Sequence, residues 1–132
     1  MDIVVSHEQG RVPVTVFCIT GEIDANTFEQ LQAKAQEAFQ AGTRKLLLDL
    51  SEVTFISSFG LRALHDIFTL LRTDSPSEGD AAIYQGIRDG TFKSTHLKLL
   101  NPQPEVLRAL RIAGYDMYLE IHRSLKEALA SF

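Results

Sequence analysis

Short blocks rich in Val, Ile and Leu alternate along the chain with longer segments in which apolar residues recur every three or four positions. The blocks have the length and composition of strands, and the longer segments have the spacing of an amphipathic helix. Five blocks predict strands: DIVVS, VPVTVFCIT, RKLLLDL, HLKLL and MYLEIH. Four segments predict helices: GEIDANTFEQLQAKAQEAFQAG, FGLRALHDIFTLLR, NPQPEVLRALRIAG and SLKEALASF. Because strands and helices alternate after the first two strands, the pattern predicts an α/β fold whose parallel strand pairs are joined by right-handed crossovers.

Residues that favour helix ends lie at the borders of these segments. Asp24 or Asn26 can cap the start of the first helix with its side-chain oxygen. Gly42 can end the same helix in the left-handed conformation. Ser124 and Glu127 have the spacing of a capping box, which predicts the start of the last helix.

Residues 73–95 interrupt the alternation, since Ser, Asp, Gly and Pro dominate the stretch TDSPSEGDAAIYQGIRDGTFKST. A connection this long is unusual inside a compact domain, so we interpret it as a functional insertion or a mobile loop. We expect Tyr84 and Phe92 to pin it against the rest of the chain rather than to contact a partner. The pattern contains no internal repeat, and residues 1–132 are predicted to form one domain with this insertion.

The composition is that of a globular protein, with 132 residues, 45% hydrophobic residues and a formal net charge of −4. Lys and Arg are scattered, which argues against nucleic acid as a partner. The sequence has no apolar run of the roughly 18 residues that cross a bilayer and no secretory-signal pattern, so no membrane partner is expected. The single Cys18 lies in an apolar strand and is expected to be a buried thiol. Together these features favour a cytoplasmic protein.

The sequence does not contain the patterns that indicate catalysis, a metal or a cofactor. The stretch ISSFG differs from the G-x-S-x-G arrangement of a nucleophile elbow, and His65 lies nearly two helical turns beyond Ser58. The other histidines are isolated, and one cysteine cannot complete a zinc set. The glycines form neither a phosphate-binding loop nor a dinucleotide fingerprint. The sequence therefore predicts no enzyme, no metal site and no cofactor.

Ser57 and Ser58 lie where a strand ends and a helix begins, which is where α/β sheets place ligands and reactive groups. Serine is also a preferred N-cap residue, so one of the two is expected to accept a backbone N–H of the helix. A phosphate on a serine there would add roughly −1.5 to −2 charge at a helix N-terminus, which the helix dipole tolerates. Such a modification would change the charge of a docking surface without unfolding it.

Charged residues near this junction carry two further predictions. The second helix is predicted to have a mildly basic outer face, formed by Arg62, His65 and Arg72, which lie off its apolar stripe. This face is either solvated or in contact with an acidic partner. Asp49 is interpreted as a structural residue that ends the third strand and accepts backbone N–H groups of the turn beyond.

Four stretches, GEID, LLLDLSEVTFISSFGLRAL, LKLLNPQPEVLRALRIAGY and SLKEAL, resemble the STAS domain of anti-sigma factor antagonists. The resemblance covers nearly the whole chain apart from residues 73–95. Its most specific part is the family pattern of a strand ending in Asp-Leu-Ser, then Val-x-Phe-Ile/Met, then Asp-Ser-Ser/Thr-Gly-Leu. The residues that match this pattern are Asp49, Leu50, Ser51, Val53, Phe55, Ile56, Ser58, Gly60 and Leu61. The resemblance implies a single STAS-like domain with a mixed β-sheet of about five strands and about four α-helices packed against it.

In that family a kinase that doubles as an anti-sigma factor phosphorylates the serine in the position of Ser58. The resemblance implies that the unphosphorylated domain binds this kinase and frees a sigma factor. Phosphorylation would end the binding, and a phosphatase would restore it. Ser58 would be the phosphate acceptor, with Ser57 as the alternative. The implied partner-binding residues are Asp24, Ser57, Ser58, Phe59, Gly60 and Arg62.

The sequence departs from the family pattern on both sides of the acceptor. Ser57 stands where the family has Asp, which removes a negative charge, and Phe59 stands where it has Ser or Thr, which adds a ring.

Two alternatives to the switch stay open. One is a scaffold of a stress-signalling assembly, in which the serines only cap the helix. The other is a small-ligand or nucleotide binder in which the insertion forms a lid.

Overall fold

A computed structural model of the chain describes residues 1–73, 86–87 and 92–132. The strands within these ranges are β1 (Asp2–Gln9), β2 (Pro13–Ile23), β3 (Leu46–Ile56), β4 (Leu97–Leu100) and β5 (Ile121–His122). The α-helices of four or more described residues are α1 (Phe28–Gln40), α2 (Ser58–Leu71), α3 (Pro104–Ile112) and α4 (Leu125–Ser131). A single turn of 3₁₀ helix, Tyr115–Met117, lies between α3 and β5. The order of strands and helices agrees with the order that the hydrophobic pattern predicts.

The five strands form one mixed sheet in the order β1-β2-β3-β4-β5. β1 pairs antiparallel with β2, and every later pair is parallel. The predicted α/β class and the mixed sheet are therefore confirmed. The register pairs Ile23 with Ile56, so β2 and β3 end side by side at the carboxyl edge of the sheet.

The sheet buries apolar side chains on both faces, because alternate residues of a strand point to opposite sides. The main cluster combines one face of the strands with α1, α2 and α3, and it includes Phe17, Leu48 and Leu64. A smaller cluster on the other face lies under α4, and its buried members are Val14, Val16, Leu47, Leu100 and Ala128. Three helices thus cover one face, and the last helix covers part of the other.

β3 is longer than the predicted strand, which ended at Leu50. Asp49 does not end it; its Oδ1 accepts the N–H of Ser51 at 3.0 Å. At the same place the register between β2 and β3 shifts between Cys18 and Thr20, as in a β-bulge. The strand continues through this irregularity to Ile56, so the prediction that Asp49 lies at a strand end was wrong, although it does accept a backbone N–H.

The last strand is shorter than the predicted block MYLEIH. Gly114 takes a φ of 80°, and the chain then makes the 3₁₀ turn, in which the N–H of Leu119 reaches the carbonyl of Tyr115 at 2.9 Å. Tyr118 and Leu119 are buried by this turn rather than by a strand. Only Ile121 and His122 pair with β4, so the strand prediction was wrong for the first four residues of the block.

The start of α1 also differs from the prediction, because neither Asp24 nor Asn26 is its N-cap. The N-cap is Thr27, which makes no capping hydrogen bond through its side chain. Oδ1 of Asp24 instead accepts the N–H of Asn26 at 2.9 Å and so holds the turn between β2 and α1. The predicted end of α1 is confirmed: Gly42 has a φ of 109°, and the N–H of Thr43 reaches the carbonyl of Ala38 at 3.0 Å.

Most of the predicted insertion at residues 73–95 lies outside the described residues, and the expected contact of Tyr84 lies there as well. Phe92 is described, and its ring packs edge-on against Phe68 of α2 with the centroids 6.0 Å apart. The prediction for Phe92 is therefore confirmed. At the start of α4, the hydroxyl of Ser124 accepts the N–H of Glu127 at 3.4 Å, as expected from the capping pattern.

Candidate functional site

The candidate site lies at the carboxyl ends of β2 and β3, where α2 begins. The N–H of Ser57 donates to the carbonyl of Ile23 at 2.9 Å, which continues the parallel pairing by one residue beyond the strands. Asp24 follows Ile23, and Ser57 follows Ile56, so the register makes Asp24 and Ser57 neighbours across the sheet. The parallel pairing therefore brings together two residues that are 33 positions apart in the sequence.

Ser57 is the N-cap of α2. Its backbone is extended, with φ −93° and ψ 178°, and its Oγ accepts the N–H of Gly60 at 3.3 Å. The side chain is half-buried. One of the two serines was expected to cap the helix, and the structure identifies it as Ser57.

Ser58 is the first residue of α2 and its side chain is exposed. The first turn of the helix contains no acidic residue, so the partial positive charge of the helix N-terminus is not neutralised there. Arg62 is exposed and lies one turn further along the helix, at the i+4 spacing that brings two side chains together. The surroundings of Ser58 on α2 thus favour an added negative charge.

Gly60 lies beneath the surface of the site, since it is buried. A Cβ atom at this position would lie 2.5 Å from the carbonyl oxygen of Ile23 and 2.6 Å from Cγ1 of Ile56. Such distances are shorter than real Cβ contacts, and the first involves the backbone. The glycine therefore lets α2 approach the end of β2 closely, and it supports the surface from below.

Two phenylalanine rings give the site an apolar character. Phe59 and Phe55 are each 48% exposed, and in the sequence they lie on either side of the two serines. The ring of Phe59 also packs against Phe28 at the start of α1, with the centroids 5.4 Å apart. The sequence did not predict Phe28 as part of the site. A second register shift between β2 and β3, between Gly21 and Glu22, lies directly before Phe55 and changes which residues face outward there.

The predicted basic outer face of α2 is not formed. Nδ1 of His65 lies 3.2 Å from the hydroxyl of Tyr118, and this histidine is half-buried. The guanidinium of Arg72 lies over the ring of Phe68 at 5.7 Å and is half-buried as well. Of the three residues, Arg62 alone is exposed, because the other two pack against aromatic rings of the core.

Cys18 lies on β2, away from the serines, and is half-buried rather than fully buried as predicted. Its Sγ lies 3.8 Å from Oδ2 of Asp49. Burial raises the pKa of the thiol, and the negative charge of Asp49 raises it further. The thiol is therefore held in its protonated, weakly nucleophilic form.

The described part of the chain contains neither a metal-binding cluster nor a membrane-spanning helix. Among residues 1–73, 86–87 and 92–132, His, Cys, Asp and Glu do not form a group of three that could hold a metal ion. The helices in these ranges are too short or too polar to cross a membrane.

The sequence matches the family described as the STAS domain over residues 4–75, which is more than half of the chain. This match runs from β1 past the end of α2 and includes both serines. A relative in Bordetella bronchiseptica, BtrV, is provisionally named an anti-sigma factor antagonist. It is 26% identical over 117 residues, which cover 89% of this chain and 84% of the relative.

Solved structures with the same fold include an anti-sigma factor antagonist from Mycobacterium paratuberculosis, with a TM-score of 0.68 and 22% identity. The match covers 98% of this chain and 93% of that one. The Bacillus cell fate determinant SpoIIAA, solved in its phosphorylated form, matches with a TM-score of 0.61 and 19% identity over 96% of both chains. At these identities the likeness shows a shared fold.

Proposed function

Because this chain belongs to the STAS domain family, we propose that it is an anti-sigma factor antagonist that acts by binding and not by catalysis. In its unphosphorylated form it binds an anti-sigma factor that is also a serine kinase, and this binding frees a sigma factor. Phosphorylation of Ser58 ends the binding, and a phosphatase restores it. Since a sigma factor acts on transcription, the proposed setting is the cytoplasm.

One observation carries the choice of acceptor: the two adjacent serines have different surroundings. The hydroxyl of Ser57 is half-buried and accepts a hydrogen bond from the helix, whereas Ser58 is exposed. A kinase must reach the hydroxyl that it modifies, so exposure favours Ser58. Modification of Ser57 would first require its capping bond to break.

The electrostatics of the helix start explain how a phosphate acts as a switch. A phosphate on Ser58 would lie at the positive end of α2, with Arg62 one turn away, and both features stabilise added negative charge. The fold therefore tolerates the modification. The docking surface nonetheless gains roughly −1.5 to −2 charge, which repels a partner that fits the neutral hydroxyl.

The proposed docking surface consists of Asp24, Ser57, Ser58, Phe59 and Arg62, with Gly60 beneath it. Its centre is more apolar than the family pattern implies, because the half-exposed ring of Phe59 directly follows the acceptor. Large aromatic side chains often anchor protein–protein interfaces. The relatives support the proposed class of function: BtrV is provisionally named an anti-sigma factor antagonist, and SpoIIAA has been solved in a phosphorylated form.

Phosphopeptide mapping of the protein, purified from its own cells during growth and under stress, tests the acceptor. We expect phosphate on Ser58 whose occupancy changes with condition. Phosphate on Ser57 instead would overturn the residue assignment. An unmodified peptide under every condition, with full coverage of residues 46–72, would contradict the switch and favour the scaffold alternative.

A binding experiment tests the switch itself. The unmodified protein and its Ser58→Ala and Ser58→Asp variants serve as bait, and the captured kinase is identified and then titrated against each. We expect Ser58→Ala to bind like the wild type and Ser58→Asp to bind at least about tenfold more weakly, since a charge is forced into the interface. Thr69→Asp is the matched control, because it places the same charge on an exposed position of α2 three turns away. Equal binding by Ser58→Asp and the wild type would contradict the proposal.

A further inference from the structure

β1 is a long strand at the edge of the sheet. It spans eight residues, and within the described residues it pairs with β2 alone. Its sequence DIVVSHEQ contains neither Pro nor Lys, and its pairing with β2 runs without a register shift. Natural proteins usually protect an edge strand by one of these devices or by making it short. β5 at the opposite edge is short, with two residues, so β1 is the edge that can accept another strand.

Exposed apolar side chains accompany this edge on both faces of the sheet. Val4 is 64% exposed and Val5 is 37% exposed, and adjacent residues of a strand point to opposite faces. Val4 pairs in register with Cys18, which packs against the smaller cluster. Ile3, on the face of Val5, packs against the main cluster. A strand added to β1 would therefore find apolar neighbours above and below the sheet.

We propose that β1 pairs with β1 of a second copy of this chain, so that two sheets join into one across a two-fold axis. Unpaired N–H and C=O groups along an edge are satisfied by another strand. A two-fold interface uses the same surface on both copies, so the strand has to be complementary to itself. The order of residues in β1 meets that condition in one register.

Symmetry limits the possible registers. Successive residues of a strand direct their N–H and C=O groups to opposite edges, so residues paired across an antiparallel ladder must both point inward or both point outward. In a two-fold pair, one residue must therefore lie opposite its own copy. Near the middle of β1 the residues that can do so are Val4, Val5 and Ser6.

The charges select among these three registers. With Val4 opposite Val4 of the second copy, Ile3 lies opposite Val5 and Asp2 lies opposite Ser6, so apolar groups meet and like charges do not. With Val5 at the centre, Asp2 lies opposite Glu8 in both halves, which is repulsive. With Ser6 at the centre, Val4 lies opposite Glu8. The sequence thus favours the register centred on Val4.

This interface is separate from the serine-bearing surface. β2 lies between β1 and β3 in the sheet, and Ser58 follows β3. Pairing through β1 uses a side edge, whereas the serines lie at the carboxyl ends of the inner strands. The inference therefore does not depend on the proposed function.

Sedimentation equilibrium of the full chain over a range of concentrations tests the pairing. We expect a reversible monomer–dimer equilibrium, and we expect Val4→Lys to raise the dissociation constant at least about tenfold, because two lysines would face each other. Ile112→Lys is the control: this residue is 78% exposed at the end of α3, so the substitution removes more exposed apolar surface elsewhere. A wild type that is still monomeric at about 1 mM would overturn the proposal. An equal loss of association in Val4→Lys and Ile112→Lys would also overturn the proposal. Circular dichroism verifies that both variants are folded.

Disulfide trapping tests the register. In a Cys18→Ala background, which removes the neighbouring thiol, Val4→Cys places two thiols opposite each other at a Cα separation of about 4.5–5.5 Å, within disulfide reach. We expect rapid covalent dimers from Val4→Cys under mild oxidation. Val5→Cys in the same background should crosslink slowly, because its two copies would lie about 8 Å apart. Faster crosslinking of Val5→Cys than of Val4→Cys would overturn the proposed register, and slow crosslinking of both would overturn the pairing.

Discussion

At the scale of single residues, Ser57 and Ser58 are chemically identical but have different surroundings, and the difference should appear in the stability of the protein. Ser57→Ala removes a capping bond to α2, and we expect it to lower the free energy of unfolding by about 1 kcal/mol. Ser58→Ala removes an exposed hydroxyl at the first helical residue, and we expect a change within about 0.5 kcal/mol. Urea unfolding of both variants, compared at the same m-value, measures the two effects.

Equal destabilisation by the two substitutions would contradict this division between the serines. The sequence predicted that one of them caps the helix, because serine follows a strand and precedes an apolar helical stripe. It could not decide between them. The cap belongs to the last residue with an extended backbone, and β3 runs past a bulge at Asp49 before it reaches that residue.

At the scale of elements, the close approach of α2 to the end of β2 depends on Gly60. Alanine is usually better than glycine inside a helix by about 1 kcal/mol, so helix propensity alone predicts that Gly60→Ala stabilises the protein. The carbonyl of Ile23, 2.5 Å from the new Cβ, is part of the backbone and cannot move away cheaply. We expect the steric cost to win, with a net loss of about 1–3 kcal/mol in urea unfolding. Thr69→Ala, at an exposed position of α2, is the control. Stabilisation by Gly60→Ala would contradict the expectation and show that α2 can shift away from the end of β2.

The same scale shows why element boundaries were predicted unevenly. α2 and β4 agree closely with their patterns, because α2 has a regular helical repeat of apolar residues and β4 is a short block that is buried throughout. β3 was predicted too short because two register shifts against β2, between Cys18 and Thr20 and between Gly21 and Glu22, break the alternation. In the second half of the strand the buried residues are therefore Leu50, Val53 and Ile56. Tyr118 and Leu119 look like strand residues but are buried by a turn. The sequence pattern predicted the burial of these two residues correctly, but it predicted the wrong backbone conformation.

At the scale of the whole molecule, the alternation of strands and helices was enough to predict the fold class, and the two serines were enough to propose a candidate site. The aromatic part of the site was not predictable in the same way. Phe28 and Phe59 are 31 positions apart, and their contact depends on how α1 and α2 pack on the sheet. Arg72 was predicted to face outward, and it packs against Phe68 instead. Tertiary packing decides such contacts.

The attachment of α4 to the sheet also spans distant parts of the chain. Lys98 on β4 is buried on the face that α4 covers, and its ammonium donates to the carbonyl of Ser131 at 2.8 Å. It also pairs with Glu120 at 2.9 Å, and Glu120 in turn lies 3.1 Å from Nε2 of His122. This cluster joins β4, the segment before β5 and the end of α4. The charge of Glu120 should therefore affect the stability of the whole fold.

Burial raises the pKa of the Glu120 carboxyl, but the hydrogen bonds and charges of Lys98 and His122 outweigh burial and hold the pKa below its ordinary value. The ionised carboxyl therefore stabilises the fold above the ordinary glutamate pKa of about 4.3, and this stabilisation is lost as the pH falls through the lower, folded value. We expect Glu120→Gln to cost about 1 kcal/mol at pH 7, because the carboxyl is partly exposed and Lys98 keeps its bonds to Ser131. Between about pH 5 and pH 3 the unfolding free energy of the variant should fall less steeply than that of the wild type. Urea unfolding across this range measures how steeply the unfolding free energy of each protein falls with pH, with Glu105→Gln on the exposed side of α3 as control. Parallel curves for Glu120→Gln and the wild type would show that the cluster does not link pH to stability.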